Sequence, residues 1–280
     1  MIVEAKHYLK VKFKQARHLY LGTFHAFSIA DFKNALRELG VNSGDTLLIH
    51  SSYDAFQGFS GRPSDVISAF QQAVGTEGTL LMPTLPFGGT AVDYARSSPL
   101  FDVKRTPSRM GLLSELFRRS PGVVRSVHPT HPVAAWGRQA AVLVDSHHLA
   151  ETPCGPSSPY ARLLDMQGKI LLVGTDIGAL TFYHTIEALL EQKFPVTPFT
   201  TEVFTLQSRD HAGTLLTTRT RLFEPAVSRR RDLYKLIPAL KSANAWREGR
   251  IGHMSLFSLK AEDVLSTVAA MAAQGEYCYD

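Results

Sequence analysis

Three polar residues spaced three positions apart, Thr181, His184 and Glu187, are able to move a proton if they lie on a helix. Side chains three or four positions apart share a helix face. An imidazole titrates near neutral pH and can accept a proton from an attacking amine, and a carboxylate one turn away can fix its tautomer. The spacing alone is more typical of a polar strip on a solvent-exposed helix, so this hypothesis needs further support.

A second polar group, His50, Ser51 and Ser52, ends an apolar run that is typical of a buried strand. In open α/β sheets, ligands bind outside the carboxyl ends of the strands. Backbone amides and hydroxyls at such a position can bind an amide or a phosphate group. A serine pair that hydrogen-bonds to its own backbone is an equally good interpretation of these residues.

A third polar segment contains Arg125, Ser126, His128 and His131. Arginine is suited to binding a phosphate group through paired hydrogen bonds. The main chain near Val133 can pair with an extended ligand as an added strand does. The segment is therefore a candidate for contacts with a phosphate-bearing cofactor.

The same histidines permit a metal-site hypothesis, in which His128 and His131 bind the ion, joined by His147 and His148. A His-x-x-His pair without a nearby acidic or cysteine ligand is a weak zinc signal. Pro129 also favours an extended segment over a helix. We predict that no metal is bound, and a metal-dependent amidase is kept as the alternative enzyme.

The elements that must position these groups alternate between helices and strands. Capping residues, glycine stops and apolar periodicity predict helices near residues 28–39, 63–74, 106–119, 140–144, 180–192, 230–242 and 261–273. Buried runs predict strands near residues 46–50, 78–82, 133–136, 169–174 and 250–258, with a hairpin near 201–207 and 214–220 and a long loop over 84–104. This pattern indicates an α/β fold with a central mixed sheet flanked by helices on both faces, the late hairpin making the sheet mixed. No change in composition marks a linker, so we predict a single domain over residues 1–280.

Composition excludes several classes of protein. Of the 280 residues, 44% are hydrophobic and 20% are charged, which excludes disorder as the main state. The net charge of +5 permits an anionic partner. The basic cluster Arg229–Arg231 has no interleaved aromatic residues, so we interpret it as a solvated surface rather than a nucleic-acid site. No stretch approaches the length of a membrane span.

Two features bear on the cellular compartment. Residues 1–18 mix basic residues with short apolar runs, and we expect no signal peptide there. The two cysteines, Cys154 and Cys278, do not suggest a disulfide framework by their spacing. Both features favour the reducing cytoplasm.

Several motifs carry a resemblance to a known family. They are LGVNSGDTLLIHSS at 39–52, VGTEGTLLMPT at 74–84, TPSRMG at 106–111, RSVHPTHPVAAWG at 125–137 and TFYHTIE at 181–187. In this order and spacing, over roughly residues 28–255, they are similar to the aminoglycoside 3-N-acetyltransferases, or antibiotic N-acetyltransferases.

The resemblance implies that family's own α/β fold and a direct transfer of acetyl from acetyl-coenzyme A without a metal. It implies that His184 is the general base, and that Thr181 or backbone amides stabilise the oxyanion. We predict Glu187 as the partner of the imidazole, with Glu224 as a weak rival. The implied cofactor contacts are His50, Ser51, Ser52, Arg125, Ser126, His128, His131 and Val133. Many family members have Ser where this chain has Pro132, which lacks an amide hydrogen.

The acceptor side is less clearly specified. Family enzymes that modify polycationic aminoglycosides place several acidic residues in the loop after Met-Pro-Thr, whereas this loop carries Asp93 and a cation, Arg96. We predict Asp54, Asp93 and Glu224 as substrate-binding residues. A less cationic amino sugar is therefore an alternative acceptor.

The predicted function is acetyl transfer to an amino group of an aminoglycoside or a related amino sugar. Its partners are coenzyme A and an amine-bearing sugar, with no nucleic acid and no membrane, and the resemblance leaves a homodimer open. A non-catalytic relative that binds a sugar or coenzyme A is the third hypothesis. The Thr-x-x-His-x-x-Glu pattern argues against it.

Overall fold

Residues 25–97 and 99–280 are described by the computed structural model. The stretch for which we expect no signal peptide lies outside these residues. The helices, numbered in chain order, are α1 (Ile29–Glu38), α2 (Pro63–Val74), α3 (Ala91–Arg96), α4 (Leu112–Arg118), α5 (Ala140–Val144), α6 (Pro159–Asp165), α7 (Tyr183–Leu189), α8 (Pro225–Ser228), α9 (Leu236–Ser242) and α10 (Ala261–Ala273). The strands are β1 (Thr46–Ser51), β2 (Thr79–Pro83), β3 (Phe101–Asp102), β4 (Val124–Arg125), β5 (Val133–Gly137), β6 (Lys169–Val173), β7 (Phe199–Arg209), β8 (Leu215–Phe223), β9 (Arg247–Ile251) and β10 (Met254–Lys260).

Three parallel strands, β2, β1 and β6, lie side by side in the central sheet. In the described residues this sheet has seven strands in the order β4-β5-β2-β1-β6-β10-β9. β5 runs antiparallel to β2, and β10 runs antiparallel to β6. The carboxyl ends of three neighbouring strands therefore meet at one edge, which is where α/β proteins bind ligands.

Side chains of the central strands alternate between two apolar cores, one on each face of the sheet. On one face, Leu48 and Leu172 pack with residues of α5, α6, α7, α9 and α10. On the other face, Leu47 and Val173 pack with residues of α1, α2 and α4. Burying one such side chain contributes roughly 1.5–3 kcal/mol, so both helical layers stabilise the sheet. The prediction of helices on both faces is confirmed.

The late hairpin forms a separate, three-stranded sheet in the order β3-β7-β8. Val92 and Ala95 of α3 pack against Phe204 and Leu222 of this small sheet. The prediction that the hairpin makes the central sheet mixed is therefore wrong. The central sheet is mixed because β4, β5, β9 and β10 each run antiparallel to the strand beside them.

The segment 84–104, predicted as a loop, contains α3 and β3. Thr90 caps α3, because its hydroxyl accepts a hydrogen bond from the Asp93 amide at 3.0 Å and donates one to the Asp93 carboxylate at 2.7 Å. With only six residues, α3 is too short for a helical period to appear in the sequence. The loop prediction is wrong here, and the helix places Asp93 beside the small sheet.

The strand predicted over 250–258 is in fact a hairpin of β9 and β10. Gly252 turns the chain with a φ of +53°, a conformation that glycine adopts without steric cost. The sequence predicts one strand because the residues on both sides of Gly252 are compatible with a strand.

Three predicted helices are longer than the observed ones. The helix predicted over 106–119 begins only at Leu112, after Gly111 with a φ of +109°. The helices predicted over 180–192 and 230–242 are α7, which has a short 3-10 turn on each side, and α9, which is preceded by one. None of the helices within the described ranges has the length and apolar character that crossing a bilayer requires.

Candidate active site

His184 and Glu187 form a hydrogen-bonded pair on α7. His184 Nδ1 lies 2.6 Å from Glu187 Oε2, as expected for side chains one turn apart. An ionised carboxylate only accepts hydrogen bonds, so Nδ1 carries the proton of the neutral ring and Nε2 keeps a lone pair. The His184 side chain is 20% exposed, which leaves the ring within reach of a substrate. The imidazole is paired with Glu187 and not with Glu224.

The Glu187 carboxylate is completely buried, and its other oxygen is held by two further residues. Oε1 accepts hydrogen bonds from Arg231 Nη2 at 2.7 Å, from Arg231 Nε at 3.0 Å and from the Tyr279 hydroxyl. Burial opposes ionisation, but the hydrogen bond from His184 and the charge of Arg231 outweigh it and lower the pKa of Glu187. The carboxylate is therefore ionised near neutral pH.

Two aromatic rings flank the His184 imidazole. Phe223, at the end of β8, stacks on it with the ring centroids 3.9 Å apart. His131 meets it edge-on, with the ring centroids 6.3 Å apart. Burial and the Arg231 charge lower the pKa of His184, and Glu187 opposes that shift. The ring is therefore mostly neutral near pH 7, the state that a general base requires.

A cavity of about 530 Å³ opens at the carboxyl ends of the central strands. Its walls come from the end of β1, the start of α4 and the loop between β6 and α7. Thr181 lines the wall, and its carbonyl accepts the amide hydrogen of His184 at 3.0 Å. The His184–Glu187 pair therefore begins one turn away from a cavity whose volume suits a small-molecule site.

Three of the predicted cofactor contacts, His50, Ser51 and Ser52, line this cavity. The hydroxyls of both serines make no hydrogen bond with the described chain, which leaves them available to a ligand. Burial lowers the pKa of His50 to about 4. A neutral ring does not form an ion pair with a phosphate, but His50 Nε2 has no hydrogen-bond partner in the described chain and can form a hydrogen bond with a ligand.

Arg125, also predicted as a cofactor contact, is buried and bound to the protein's own backbone. Its Nη2 donates to the Thr84 carbonyl at 2.6 Å, and its Nε donates to Thr84 Oγ1 at 2.9 Å. Its Nη1 donates to the carbonyls of Thr106 at 2.6 Å and Val103 at 3.3 Å. The guanidinium joins the 84–106 segment to β4, so the geometry does not support a phosphate contact by Arg125.

Ser126 and Val133 are internal as well. Ser126 Oγ accepts the Val133 amide hydrogen at 2.9 Å and donates to His147 Nδ1 at 2.8 Å. His147 Nε2 then carries the ring proton and donates it to the Pro153 carbonyl at 2.8 Å. The Val133 carbonyl accepts the Ser126 amide hydrogen at 2.8 Å. Because the Val133 main chain is already paired, the geometry does not support the predicted pairing with a ligand.

His128 points into the protein, whereas His131 approaches the His184–Glu187 pair. His128 Nδ1 accepts the amide hydrogens of Thr130 at 3.3 Å and His131 at 3.2 Å, and its ring stacks on His147. Across residues 25–97 and 99–280, no three His, Cys, Asp or Glu side chains are arranged to hold a metal ion. The donor atoms of this segment therefore do not favour the metal-dependent amidase.

A second cavity, of about 330 Å³, lies between α3 and the small sheet. The charged residues in its lining are Asp93, Arg96, Glu202, Glu224 and Arg229. It thus brings together Asp93 and Glu224, two of the predicted substrate-binding residues. The third, Asp54, is exposed and lies instead in the wall of the larger cavity.

The sequence analysis did not identify Phe223, Arg231 or Tyr279 as site residues. The interpretation of the basic cluster as solvated is wrong for Arg231, whose side chain is 11% exposed and pairs with Glu187. Tyr279 lies 92 positions from the carboxylate it contacts. No local pattern reports a contact over that separation, and an isolated arginine triplet looks like an exposed surface.

Comparisons with known proteins agree with this geometry. A model of the family described as aminoglycoside 3-N-acetyltransferase matches residues 48–273. Aminoglycoside N(3)-acetyltransferase VII of Streptomyces paromomycinus is 37% identical over 169 residues, which cover 56% of this chain and 58% of that protein. This match spans less than two thirds of the curated relative's length.

Solved structures extend the similarity to nearly the whole chain. Aminoglycoside acetyltransferase AAC(3)-Xa superposes with a TM-score of 0.79 at 27% identity, covering 95% of this chain and 99% of that chain. A mutant of AAC(3)-IVa in complex with a gentamicin superposes with a TM-score of 0.73 at 26% identity, covering 89% of each. The predicted fold type is confirmed.

Proposed function

Because the chain belongs to the aminoglycoside 3-N-acetyltransferase family, we propose that it transfers an acetyl group from acetyl-coenzyme A to an amino group of an aminoglycoside or a related amino sugar. The observation that carries this proposal is the His184–Glu187 pair, one turn from a cavity at the carboxyl ends of the central strands. A neutral imidazole oriented by a buried carboxylate is suited to taking a proton from an amine.

The larger cavity is the proposed site of the acetyl donor. The free hydroxyls of Ser51 and Ser52 can bind the amide groups of the pantetheine arm. The exposed side chains of Met110 and Leu112 in the same wall suit its methylene groups. When bound there, acetyl-coenzyme A supplies a thioester carbonyl as the electrophile.

His184 acts as the general base in a direct transfer. Its Nε2 takes the proton of the amine while the amine nitrogen bonds to the acetyl carbon and the carbon–sulfur bond breaks. The leaving thiolate then recovers that proton, and Glu187 stabilises the imidazolium in between. A covalent enzyme intermediate is not needed: Cys154 and Cys278 are buried.

Thr181 is the proposed donor to the oxyanion that forms during the transfer. Its side chain lies in the cavity wall and makes no hydrogen bond with the described chain. The amides of Gly178 and Ala179 in the same wall already donate to the side chain and the carbonyl of Asp176, so they are not free to bind the oxyanion. Each well-placed donor contributes about 3 kcal/mol to such a transition state.

The smaller cavity is the proposed site of the acceptor. Asp93 and Glu224 supply carboxylates that can bind ammonium groups. The complex of the AAC(3)-IVa mutant with a gentamicin supports an aminoglycoside. Arg96 and Arg229 in the same lining offset part of the negative charge, which supports an amino sugar with fewer cationic groups. Both classes therefore belong in the test.

The test is a thiol-release assay with acetyl-coenzyme A and two panels of acceptors, aminoglycosides and singly charged amino sugars. We expect acceptor-dependent release of coenzyme A with at least one panel, and mass spectrometry shows one added acetyl group on the product. If acetyl-coenzyme A binds but no amine of either panel is turned over, the proposed function is wrong and the non-catalytic alternative gains support.

The His184→Gln variant tests the base directly. Glutamine retains a similar size but cannot take the proton, so we expect kcat to fall by roughly 100-fold or more. The affinity for acetyl-coenzyme A, measured by calorimetry, should stay close to that of the wild type. Near-wild-type turnover by this variant would contradict the assignment of His184.

We also propose a cytoplasmic location and a single domain over residues 1–280. The free, buried cysteines support a reducing compartment. A homodimer stays a prediction, which light scattering of the purified protein checks.

A further inference from the structure

The two oxygens of the buried Glu187 carboxylate bind different groups of residues. Oε2 faces His184, while Oε1 receives three hydrogen bonds from Arg231 and Tyr279. An unpaired carboxylate in a site with no exposure would be costly or would take up a proton. Arg231 and Tyr279 therefore determine whether the Glu187 carboxylate is ionised and able to accept a hydrogen bond from His184.

Arg231 and Tyr279 reach the carboxylate from two chain segments that pair with each other. Their backbones form an isolated antiparallel bridge. On either side of it, the Asp232 amide donates to the Cys278 carbonyl and the Asp280 amide donates to the Arg230 carbonyl, both at 2.9 Å. We call the paired segments 230–232 and 278–280 the strap.

Two cations that point away from Glu187 also contact the strap. Lys235 Nζ donates to the Tyr279 carbonyl at 3.2 Å and pairs with the Asp280 carboxylate. Arg230 Nε donates to the Asp280 carbonyl. These cations do not touch Glu187, so within the strap the inner residues Arg231 and Tyr279 are distinguished by their contact with the catalytic pair.

We propose that Arg231 and Tyr279 are positioning residues, which hold the Glu187 carboxylate ionised and turned toward the His184 imidazole. Two donors fix the plane of the carboxylate, and the guanidinium compensates its charge through a charge-assisted pair. Neither residue touches a substrate cavity, so both act through Glu187. This inference rests on the proposed function.

After burial, the charge of Arg231 also favours a neutral His184, and together with the hydrogen bond from His184 it favours an ionised Glu187. Four other titratable groups face the His184–Glu187 pair. They are His131, from the segment before β5, Tyr183 on α7, and the buried thiols Cys154 and Cys278. Burial lowers the pKa of His131 and raises the pKa of Tyr183 and of both thiols, so all of them are neutral near pH 7.

The first test replaces Arg231 with Gln and with Lys. In the wild type, the charge of Arg231 repels a protonated His184. Without this cation, the His184–Glu187 pair becomes protonated at a higher pH. In R231Q we expect the acid limb of the kcat/KM profile to move up by about one pH unit. In R231K, which keeps the charge, the limb should lie close to that of the wild type. Arg230→Gln is the matched control, and its limb should not move.

Tyr279→Phe tests the second donor with a smaller structural change. We expect kcat to fall by roughly 10-fold or more, as the loss of one hydrogen bond to a charged group implies, while KM for acetyl-coenzyme A is unchanged. An equal loss of kcat in Y279F and R230Q would overturn the proposal. So would an acid limb of the kcat/KM profile that R231Q and R230Q shift by the same amount. Thermal melting of each variant separates loss of fold from loss of positioning.

A readout without turnover separates this inference from the proposed function. The imidazole signal of His184 in NMR spectra of histidine-labelled protein, identified by its loss in H184Q, is titrated in the wild type, R231Q and R231K. An upward shift in R231Q alone supports the inference even if no amine is acetylated. If the wild type acetylates an amine but R231Q leaves this titration unchanged, the inference fails and the proposed function stands.

Discussion

At His184, a single carboxylate oxygen decides which ring nitrogen carries the proton. Glu187 accepts from Nδ1, so the free lone pair lies on Nε2. Burial and Arg231 keep the ring neutral, and Phe223 limits its rotation by stacking. Orientation, tautomer and protonation state thus come from different neighbours, and each can be changed by one substitution without removing the imidazole.

Arg125 gives a residue-scale prediction that separates a structural residue from a cofactor contact. Arg125→Met leaves the carbonyls of Thr84, Val103 and Thr106 without their donor, so we expect a loss of roughly 2–4 kcal/mol in unfolding free energy. KM for acetyl-coenzyme A should be unchanged in the folded variant. Urea unfolding and steady-state kinetics measure the two quantities.

The exposed Arg119 provides the control for this prediction. Arg119→Met removes a cation from the same region without removing a hydrogen bond, and we expect its unfolding free energy to change by less than about 0.5 kcal/mol. A large increase in KM for acetyl-coenzyme A in Arg125→Met, with little loss of stability, would favour the phosphate contact instead.

Sequence reasoning predicted the His184–Glu187 pair because its signal is local. Thr181, His184 and Glu187 lie within seven positions, and helical spacing is visible in a sequence. Arg125 was assigned to the cofactor because its type suits phosphate, yet the sequence does not show that three carbonyls already surround it. Arg231 lies among basic residues, and only tertiary contacts single it out.

At the scale of elements, long apolar periods were predicted well and short capped segments were not. The strands β1 and β2 each carry a run of five buried residues, and α2 carries five buried residues at helical spacing. α3 has six residues and depends on packing against the small sheet. Its helical state is decided by tertiary contacts together with one cap, and propensity in the sequence is a weak guide to either.

The cap of α3 lies beside the smaller cavity, the proposed acceptor site. Thr90→Ala removes the hydrogen bond to the Asp93 amide, so we expect a loss of about 1 kcal/mol in unfolding free energy. Since Asp93 lines the smaller cavity, KM for the amine should rise several-fold while KM for acetyl-coenzyme A stays the same.

The N-cap of α1 is the matched control for Thr90. Ser28→Ala removes a comparable cap, formed by Ser28 Oγ and the Asp31 amide, from a helix that lies outside both cavities. Similar destabilisation with no change in either KM is expected, as measured by thermal melting and kinetics. An equal rise of the amine KM in both variants would argue against an acceptor site at α3.

For the whole molecule, buried neutral histidines predict sensitivity to acid. Burial lowers the pKa of His50 to about 4 and of His147 to about 3, and places those of His128 and His131 well below the usual value of 6.5. Between pH 6.5 and 4 the unfolded chain therefore binds more protons than the folded one. The contribution of these histidines to the free energy of unfolding is complete above pH 6.5 and is lost as the pH is lowered through this window.

Urea unfolding at several pH values between 7.5 and 4.5 measures this dependence. Each such histidine contributes a slope of up to about 1.4 kcal/mol per pH unit. In His147→Gln, the amide can replace both ring hydrogen bonds, to Ser126 and to Pro153, without titrating. The slope should therefore decrease by roughly one histidine's share. An unchanged slope would show that His147 does not remain neutral in the folded state.

The bond between Tyr279 and Glu187 also bears on when the protein becomes active as it folds. It joins positions 92 apart, and contacts of such separation form only after much of the intervening chain has been ordered. A chain in which α7 is already helical but the strap has not yet docked holds a carboxylate without its two donors. If Arg231 and Tyr279 position Glu187 as proposed, we expect activity recovered after denaturation to report the completion of long-range assembly rather than the return of secondary structure.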